Sequence, residues 1–439
     1  MIVERRGADV YLHPVGPVQG DLRLPGSKSL TNRYLLCTAL AHGRSTLAGA
    51  SVADDTRRMV DGLRQLGIGL ELDQRAERIE IRGCGGHIPA DQARIDVGNA
   101  GTAMRFLTAL ACLGYGEYRL DGSPRMRQRP IGQLVDALRR LGATITYEAT
   151  EGCPPLLIFA RQLNGGELEF HTPPSSQFVS ALLMVAPYAR DDVLIRIEGE
   201  LTSRPYVDMT IRIQRTLGVE TLVSDDWRRF LVPATQRYRA ADLNVEPDAS
   251  AATYFWAAAA ITGGRATVRG LTRQSLQGDV AFVNVLERMG CRVEEEAQAL
   301  TVRGPAPGAL RGIEADLNAM PDTAQTLAVV ALFADGPTRI SNVANLRLKE
   351  TDRLAALHRE LTRLGAQVEL GDDGLAITPP RRLAPAAIET YDDHRMAMSF
   401  ALAGLVVDGI VIRNATCVSK SFPAFFETLA TLEARSDGE

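Results

Sequence analysis

One pattern recurs six times along this chain, at spacings of 72, 76, 73, 74 and 71 residues. Each copy opens on a small polar or acidic residue and runs into three or four turns of apolar helix. The copies read SKSLTNRYLLCTALAHG, NAGTAMRFLTALACLG, SSQFVSALLMVAPYA, DASAATYFWAAAAITGG, PDTAQTLAVVALFADG and DDHRMAMSFALAGLVVDG, starting near Ser27, Asn99, Ser175, Asp248, Asp322 and Asp393. Ser, Asn and Asp accept hydrogen bonds from the free N–H groups of a first helical turn, and glycine suits a helix end. Apolar residues cover most of each circumference, which predicts buried helices. A short β-rich run follows each one, then a polar turn and an amphipathic helix. Five of these second helices end alike, at Gly67, Gly142, Gly218, Gly290 and Gly365, and alternating strand pairs such as LELDQRAERIEIRG come next.

So long a period predicts a compact βα unit per copy rather than a thin solenoid layer. The sixth copy lacks its strand pair, and the N-terminal runs DVYLHPV and GDLRLPG are expected to complete it. Six units divide most simply into two lobes of three, residues 26–244 in the first and 245–439 with 1–25 in the second; a closed ring of six is the alternative. Parallel buried helices within a lobe would gather their N-termini, with unpaired N–H donors and partial positive charge, at one end. Two such faces across a cleft would suit a ligand carrying several negative charges.

Composition narrows the function. A net charge of −4 argues against nonspecific nucleic-acid binding. No apolar stretch is long enough to span a bilayer, and the opening MIVERRGADVYLHPVG has no signal-peptide core. The six cysteines show no CxxC pairing and the six histidines no HExxH spacing. A cytoplasmic protein with reduced thiols, no metal and no cofactor is expected. Arginine fills nearly every basic position: 46 arginines stand beside three lysines, Lys28, Lys349 and Lys420. All three lysines fall in turns that read as strand-to-helix junctions, where backbone N–H groups favour anions.

The helix starts carry the chemistry. LPGSKSLTNR offers Ser27 or Ser29 as a cap, Lys28 in the turn and Arg33 one turn onward, a cradle for phosphate or carboxylate without Walker A spacing. Gly26 is expected to permit an unusual turn there. GNAGTAMR places Asn99, Gly101 and Thr102 where a ligand could approach the backbone, and SPRMRQRP adds Arg125, Arg127 and Arg129. Ser175, Ser176 and Gln177 supply hydroxyl and amide groups; Ser203, Arg204 and Tyr206 occupy the matching later turn. Further on come Asp322, then Asn345, Lys349, Glu350 and Arg353 in NLRLKETDR, then Asp393, His394 and Arg395, then Lys420. Capping accounts for Asp322 alone, and a helical pair for Glu350 with Arg353. Together, acids beside cations are what proton transfer near an anionic substrate requires. The fourth unit has no comparable basic pair, and Asp248 is expected only to cap.

The ordered set LPGSKSLTNR, GNAGTAMR, RMRQRP, SSQF, NLRLKETDR and DHRMAM resembles the 5-enolpyruvylshikimate-3-phosphate synthase family across nearly the whole chain. The resemblance implies an α/β fold of two lobes, each an inside-out α/β barrel of three βαβαββ repeats, with buried helices aimed at the interlobe cleft. It implies transfer of the enolpyruvyl group of phosphoenolpyruvate to the 5-hydroxyl of shikimate 3-phosphate, with release of phosphate, by a monomeric enzyme without cofactor. Carried over by motif, Ser29, Arg33, Ser175, Ser176, Gln177, Ser203, Tyr206, Asp322, Asn345 and Lys349 would hold shikimate 3-phosphate. Lys28, Asn99, Gly101, Thr102, Arg129, Gln177, Arg353, Arg395 and Lys420 would hold phosphoenolpyruvate. Asp322 would deprotonate the 5-hydroxyl and Glu350 would protonate the methylene carbon, with Lys28 and His394 as further proton-transfer candidates. The chain departs from the family at Phe106, where proline is usual. The herbicide glyphosate competes for this family's phosphoenolpyruvate pocket, and Gly101 predicts sensitivity. Two rivals are the related transferases acting on UDP-N-acetylglucosamine, which carry a reactive cysteine where this chain reads RMRQRP, and a noncatalytic anion-binding scaffold.

Overall fold

The structure, a computed structural model, describes residues 2–434. They form two compact units. One is Gly26–Glu246; the other combines the residues up to Pro25 with those from Pro247 onward. The fold is mixed α/β.

In the unit Gly26–Glu246 three helices are buried almost all round: Lys28–Leu40, Gly101–Ala111 and Ser176–Val185. A helix can lose its polar face only if neighbours cover every side, and the apolar circumference read from the sequence allows that. Three four-stranded sheets accompany them. In one, Gln92–Asp96 lies parallel to Tyr115–Asp121, and Leu156–Arg161 and Thr144–Tyr147 continue the sheet antiparallel. Parallel neighbours need a crossover, and Gly101–Ala111 is that crossover. The same order recurs with Gly166–His171 beside Val193–Glu198, around Ser176–Val185. In the remaining sheet the parallel partner of His42–Ala48 is Asp242–Asn244, from the far end of the unit.

This topology positions the site. Parallel strands end at the same edge of their sheet. The helix that leaves the first strand therefore begins beside the turn that leaves the second. Helix starts such as Gly101 and turns such as Ser123–Pro130 are brought together by strand direction alone.

The other unit has buried helices Ala249–Thr262, Ala324–Val330 and His394–Ala401. Its sheets pair Val18–Leu22 parallel to Arg265–Arg269, Glu314–Asp316 to Thr338–Ser341, and Ala387–Ile388 to Ile410–Ile412. The N-terminal segment divides between two of them. The hairpin Val3–Arg6 and Asp9–Leu12 joins Ile410–Ile412 in the last sheet, whereas Val18–Leu22 enters the sheet of Arg265–Arg269. The expectation that both runs complete the last copy holds for the hairpin only. Val18–Leu22 supplies the parallel strand that precedes the helix beginning near Asp248. No helix among the described residues is long and apolar enough to cross a membrane.

Candidate active site

At the helix starts of Gly26–Glu246, Ser27 caps its helix by accepting from the Leu30 amide. Gly26 has ordinary φ; its constraint is space, because a Cβ there would lie 1.8 Å from the Gly49 carbonyl oxygen. That corrects the expectation of an unusual turn. Lys28 donates to Asp55 at 3.0 Å. Arg33 is 2% exposed and, among the described residues, meets only neutral acceptors: Thr210 Oγ1 at 2.7 Å, the Ser29 carbonyl at 3.0 Å, the Tyr206 carbonyl at 3.1 Å and Ser180 Oγ at 3.4 Å. Burial lowers its guanidinium to about 10, so it is still a cation at neutral pH. Its Cζ stands 5.4 Å from the centroid of the Phe106 ring. The departure at Phe106 thus places an aromatic face against a buried charge.

The helix Gly101–Ala111 starts without a side-chain cap, since Ala100 takes the cap position. Asn99, expected to cap, instead accepts from Arg129 through its backbone carbonyl (3.1 Å) and side-chain oxygen (3.4 Å). A Cβ on Gly101 would lie 2.6 Å from Arg129 Nη2 and 3.0 Å from Arg105 Nη1, so only glycine lets both guanidiniums close over this helix start. Thr102 Oγ1 accepts from Gln177 Nε2 at 3.2 Å. Ser175 caps its helix by accepting from the Gln177 amide, and Ser176 is buried beside it. Ser203 is buried in the left-handed region at φ 55°, directly before the helix Arg204–Thr216 that carries Tyr206. The three arginines of RMRQRP separate: Arg129 is buried, Arg127 pairs with Asp121, and Arg125 reaches Gln128.

The second cluster, in the other unit, is ionic. Arg353 is 1% exposed and donates to Asp393 through Nε (2.7 Å) and Nη2 (3.1 Å), to Glu350 at 2.9 Å and to Asp322 at 3.2 Å. Arg395 donates to Asp322 at 2.9 Å and to the Tyr254 hydroxyl at 3.3 Å. Lys349 lies 3.8 Å from Asp322 and Lys420 3.6 Å from Glu350. Four cations therefore surround three carboxylates. Asp322 occupies a short 3-10 turn and does not cap, contrary to the simplest reading of its position. Asp393 does cap, accepting from the Arg395 amide at 3.0 Å. His394 is buried with Nδ1 3.5 Å from Asp393. Asn345 is brought to the same short segment as Lys349, but its side-chain oxygen is buried and accepts no hydrogen bond among the described residues.

Sequence reasoning missed several partners. Asp393 stood out only as a helix start, and Asp55, Arg105, Ser180 and Thr210 gave no signal. Periodicity on their own helices could have aimed Ser180 and Thr210 inward, but not at Arg33. Glu169, His171 and Glu198, exposed residues of the strands Gly166–His171 and Val193–Glu198, bring possible ligand atoms within 4.8 Å of one another, with His171 between the two carboxylates at 3.3 and 2.9 Å. No cysteine lies in the RMRQRP turn. Cys112, just upstream, is wholly buried and burial pushes its thiol up, the reverse of what a nucleophile needs.

Residues 12–429 match the family model described as EPSP synthase (3-phosphoshikimate 1-carboxyvinyltransferase). The chain belongs to the EPSP synthase family. Among similar proteins, a 3-phosphoshikimate 1-carboxyvinyltransferase of a Nostoc species is 50% identical over 93% of this chain and 96% of its own length. One from a Shewanella species is 49% identical over 96% of this chain and 99% of its own. The solved EPSP synthase of Acinetobacter baumannii superposes with a TM-score of 0.79 at 25% identity, covering 98% of this chain and 99% of that one. The enolpyruvyl transferase NikO of Streptomyces tendae, at 19% identity and a TM-score of 0.73 over 96% of this chain and 97% of its own, shares the fold. EPSP synthases are enzymes of aromatic amino-acid biosynthesis, and this chain is a member of that enzyme family along nearly its whole length.

Proposed function

We propose that this chain transfers the enolpyruvyl group of phosphoenolpyruvate to the 5-hydroxyl of shikimate 3-phosphate, releasing phosphate through a tetrahedral ketal phosphate. The observation that carries the chemistry is the buried Arg353, which holds two distinct carboxylates, Asp322 and Glu350, at 3.2 and 2.9 Å. The reaction needs a base at an alcohol and an acid at a methylene carbon, and two carboxylates fixed on one rigid guanidinium supply that pair. Asp322 takes the proton of the 5-hydroxyl. Glu350 delivers one to the methylene carbon, and a proton leaves the resulting methyl group as the bond to phosphate breaks, restoring the enol double bond. An anionic substrate that engages Lys420 and Arg353 competes with Glu350 for them, which favours the protonated carboxyl the step requires. Lys28 and His394 assist proton transfer. Fixed cations stabilise charge on substrate carboxylate and phosphate at no cost of reorganisation.

The binding roles follow the family motifs. Shikimate 3-phosphate is assigned Ser29, Arg33, Ser175, Ser176, Gln177, Ser203, Tyr206, Asp322, Asn345 and Lys349. Phosphoenolpyruvate is assigned Lys28, Asn99, Gly101, Thr102, Arg129, Gln177, Arg353, Arg395 and Lys420. The Arg33 cation, held by neutral hydroxyls and carbonyls with no carboxylate among its hydrogen-bond partners in the described residues, supports a carboxylate-bearing ligand there. We further read each unit as an inside-out barrel of three βαβαββ repeats, a reading supported by its buried helices and its repeated sheet order. A cytoplasmic monomer acting without metal or organic cofactor completes the proposal.

A phosphate-release assay tests it. Release is expected only when phosphoenolpyruvate and shikimate 3-phosphate are both present. Release with UDP-N-acetylglucosamine as acceptor would transfer the chain to the rival chemistry, and no release with either acceptor would leave an anion-binding scaffold.

A further inference from the structure

The turn Thr390–Asp393 breaks a local rule. Its two central residues, Tyr391 and Asp392, both have positive φ, 54° and 55°. The turn is closed by the Asp393 amide donating to the Thr390 carbonyl at 2.9 Å. Central residues of this hand are normally Asn or Gly; aspartate tolerates the conformation, but a tyrosine is an outlier. Two hydrogen bonds oppose its relaxation. The Tyr391 hydroxyl donates to Glu360 Oε1 at 2.7 Å, and the Glu389 amide donates to Glu360 Oε2 at 3.2 Å. Glu360 is wholly buried and also accepts from Arg363 at 3.0 Å.

Glu360 lies on the helix Arg353–Arg363, two turns beyond Arg353 and so on the same side of it. Helix and turn are consequently tied by two rungs. One is Arg353 to Asp393, within the ionic cluster. The other is Glu360 to Tyr391 and Glu389, and it includes none of the residues assigned to substrate.

We infer that Glu360 and Tyr391 are positioning residues: a clamp that holds the strained turn and, through Asp393, sets the Arg353 guanidinium for the carboxylate of phosphoenolpyruvate. The inference rests on the assignment of Arg353 to that substrate. With the clamp released, Tyr391 relaxes toward negative φ and Asp393 withdraws. Asp322 and Glu350 then draw the guanidinium away from its binding position.

Substitution at the strained residue separates this role from plain packing. Tyr391→Phe keeps the ring and removes one hydroxyl. It is expected to raise KM for phosphoenolpyruvate by about tenfold, the loss typical of one hydrogen bond to a buried carboxylate. The Kd of shikimate 3-phosphate, measured by calorimetry, is expected to stay within about twofold of wild type. Tyr391→Gly removes far more contact but is unstrained at positive φ. It is expected to restore KM for phosphoenolpyruvate toward the wild-type value, whereas a purely structural tyrosine would make glycine the worse variant. A Tyr391→Phe enzyme with unchanged KM, or a Tyr391→Gly enzyme worse than Tyr391→Phe, overturns the clamp. Glu360→Gln, which sets an amide N–H against at least one of its three donors, is read in the same assay if Tyr391→Phe does not fold. A wild-type enzyme that releases no phosphate refutes the functional reading instead, so the two failures are distinguishable.

Discussion

Arg33 shows how much one residue can constrain a site. A fully buried guanidinium satisfied by hydroxyls and carbonyls keeps its hydrogen bonds but has no carboxylate partner among the described residues. A ligand carboxylate would supply one. Arg33→Ala is expected to weaken shikimate 3-phosphate by roughly 2–4 kcal/mol, about 30- to 1,000-fold in Kd by calorimetry, with a smaller effect on KM for phosphoenolpyruvate. Glu350→Ala should show the opposite split, with kcat falling by about 100-fold or more and shikimate 3-phosphate affinity retained. Asp121 gives a pH test. Burial alone would raise its carboxyl, but hydrogen bonds from Arg127, the Gly122 amide and Arg119 outweigh it and hold the group below its ordinary 3.8. A depressed folded-state value stabilises the fold above 3.8 and loses that contribution as pH falls through the lower value. Asp121→Asn should therefore lower the urea midpoint at pH 7, and the gap to wild type should close below about pH 4. At this scale motifs marked residue types, as at Lys28, Gly101 and Asp322. The sequence was silent on partners such as Asp55 and Thr210, because contacts between distant helices leave no mark in either segment.

Helices and turns were the most legible elements, because their ends obey local chemistry. Ser27, Ser175, Asp248 and Asp393 all accept from a first-turn amide, as their positions predicted. The five glycines that end the amphipathic helices all adopt positive φ, the conformation a helix C-terminus asks of the residue just beyond it. Gly101–Ala111 is the exception: Ala100 cannot cap, and Asn99 is drawn to Arg129 instead. Strand partners were not legible, since Val18–Leu22 carries no local sign that its neighbour is Arg265–Arg269. The capping argument is testable at Asp248, which accepts from the Ala251 amide at 2.8 Å and heads the buried helix Ala249–Thr262. Asp248→Ala should cost about 1 kcal/mol in urea unfolding, read from the transition of the unit that contains it.

At the scale of the whole molecule, the two units differ in how the chain supplies them. Gly26–Glu246 is continuous and is closed by Asp242–Asn244 beside His42–Ala48. The other draws on both ends of the chain: Val18–Leu22 lies between Arg265–Arg269 and Glu433–Ala434. Removing the residues up to Leu22 takes an interior strand from one sheet and two strands from another. That truncation should abolish the cooperative thermal transition of the discontinuous unit and leave one transition from Gly26–Glu246, as calorimetry would show.

That asymmetry has a consequence during synthesis. A ribosome completes Gly26–Glu246 while much of the polypeptide is still unmade, so this half can fold as it emerges. The hairpin Val3–Arg6 and Asp9–Leu12 can pair with itself at once, but its free edge and Val18–Leu22 are made before Gly26–Glu246 and wait for Ile410–Ile412 and Arg265–Arg269. Until then those edges are exposed templates for the wrong neighbour, and the segment ahead of Gly26 is the one most in need of a chaperone.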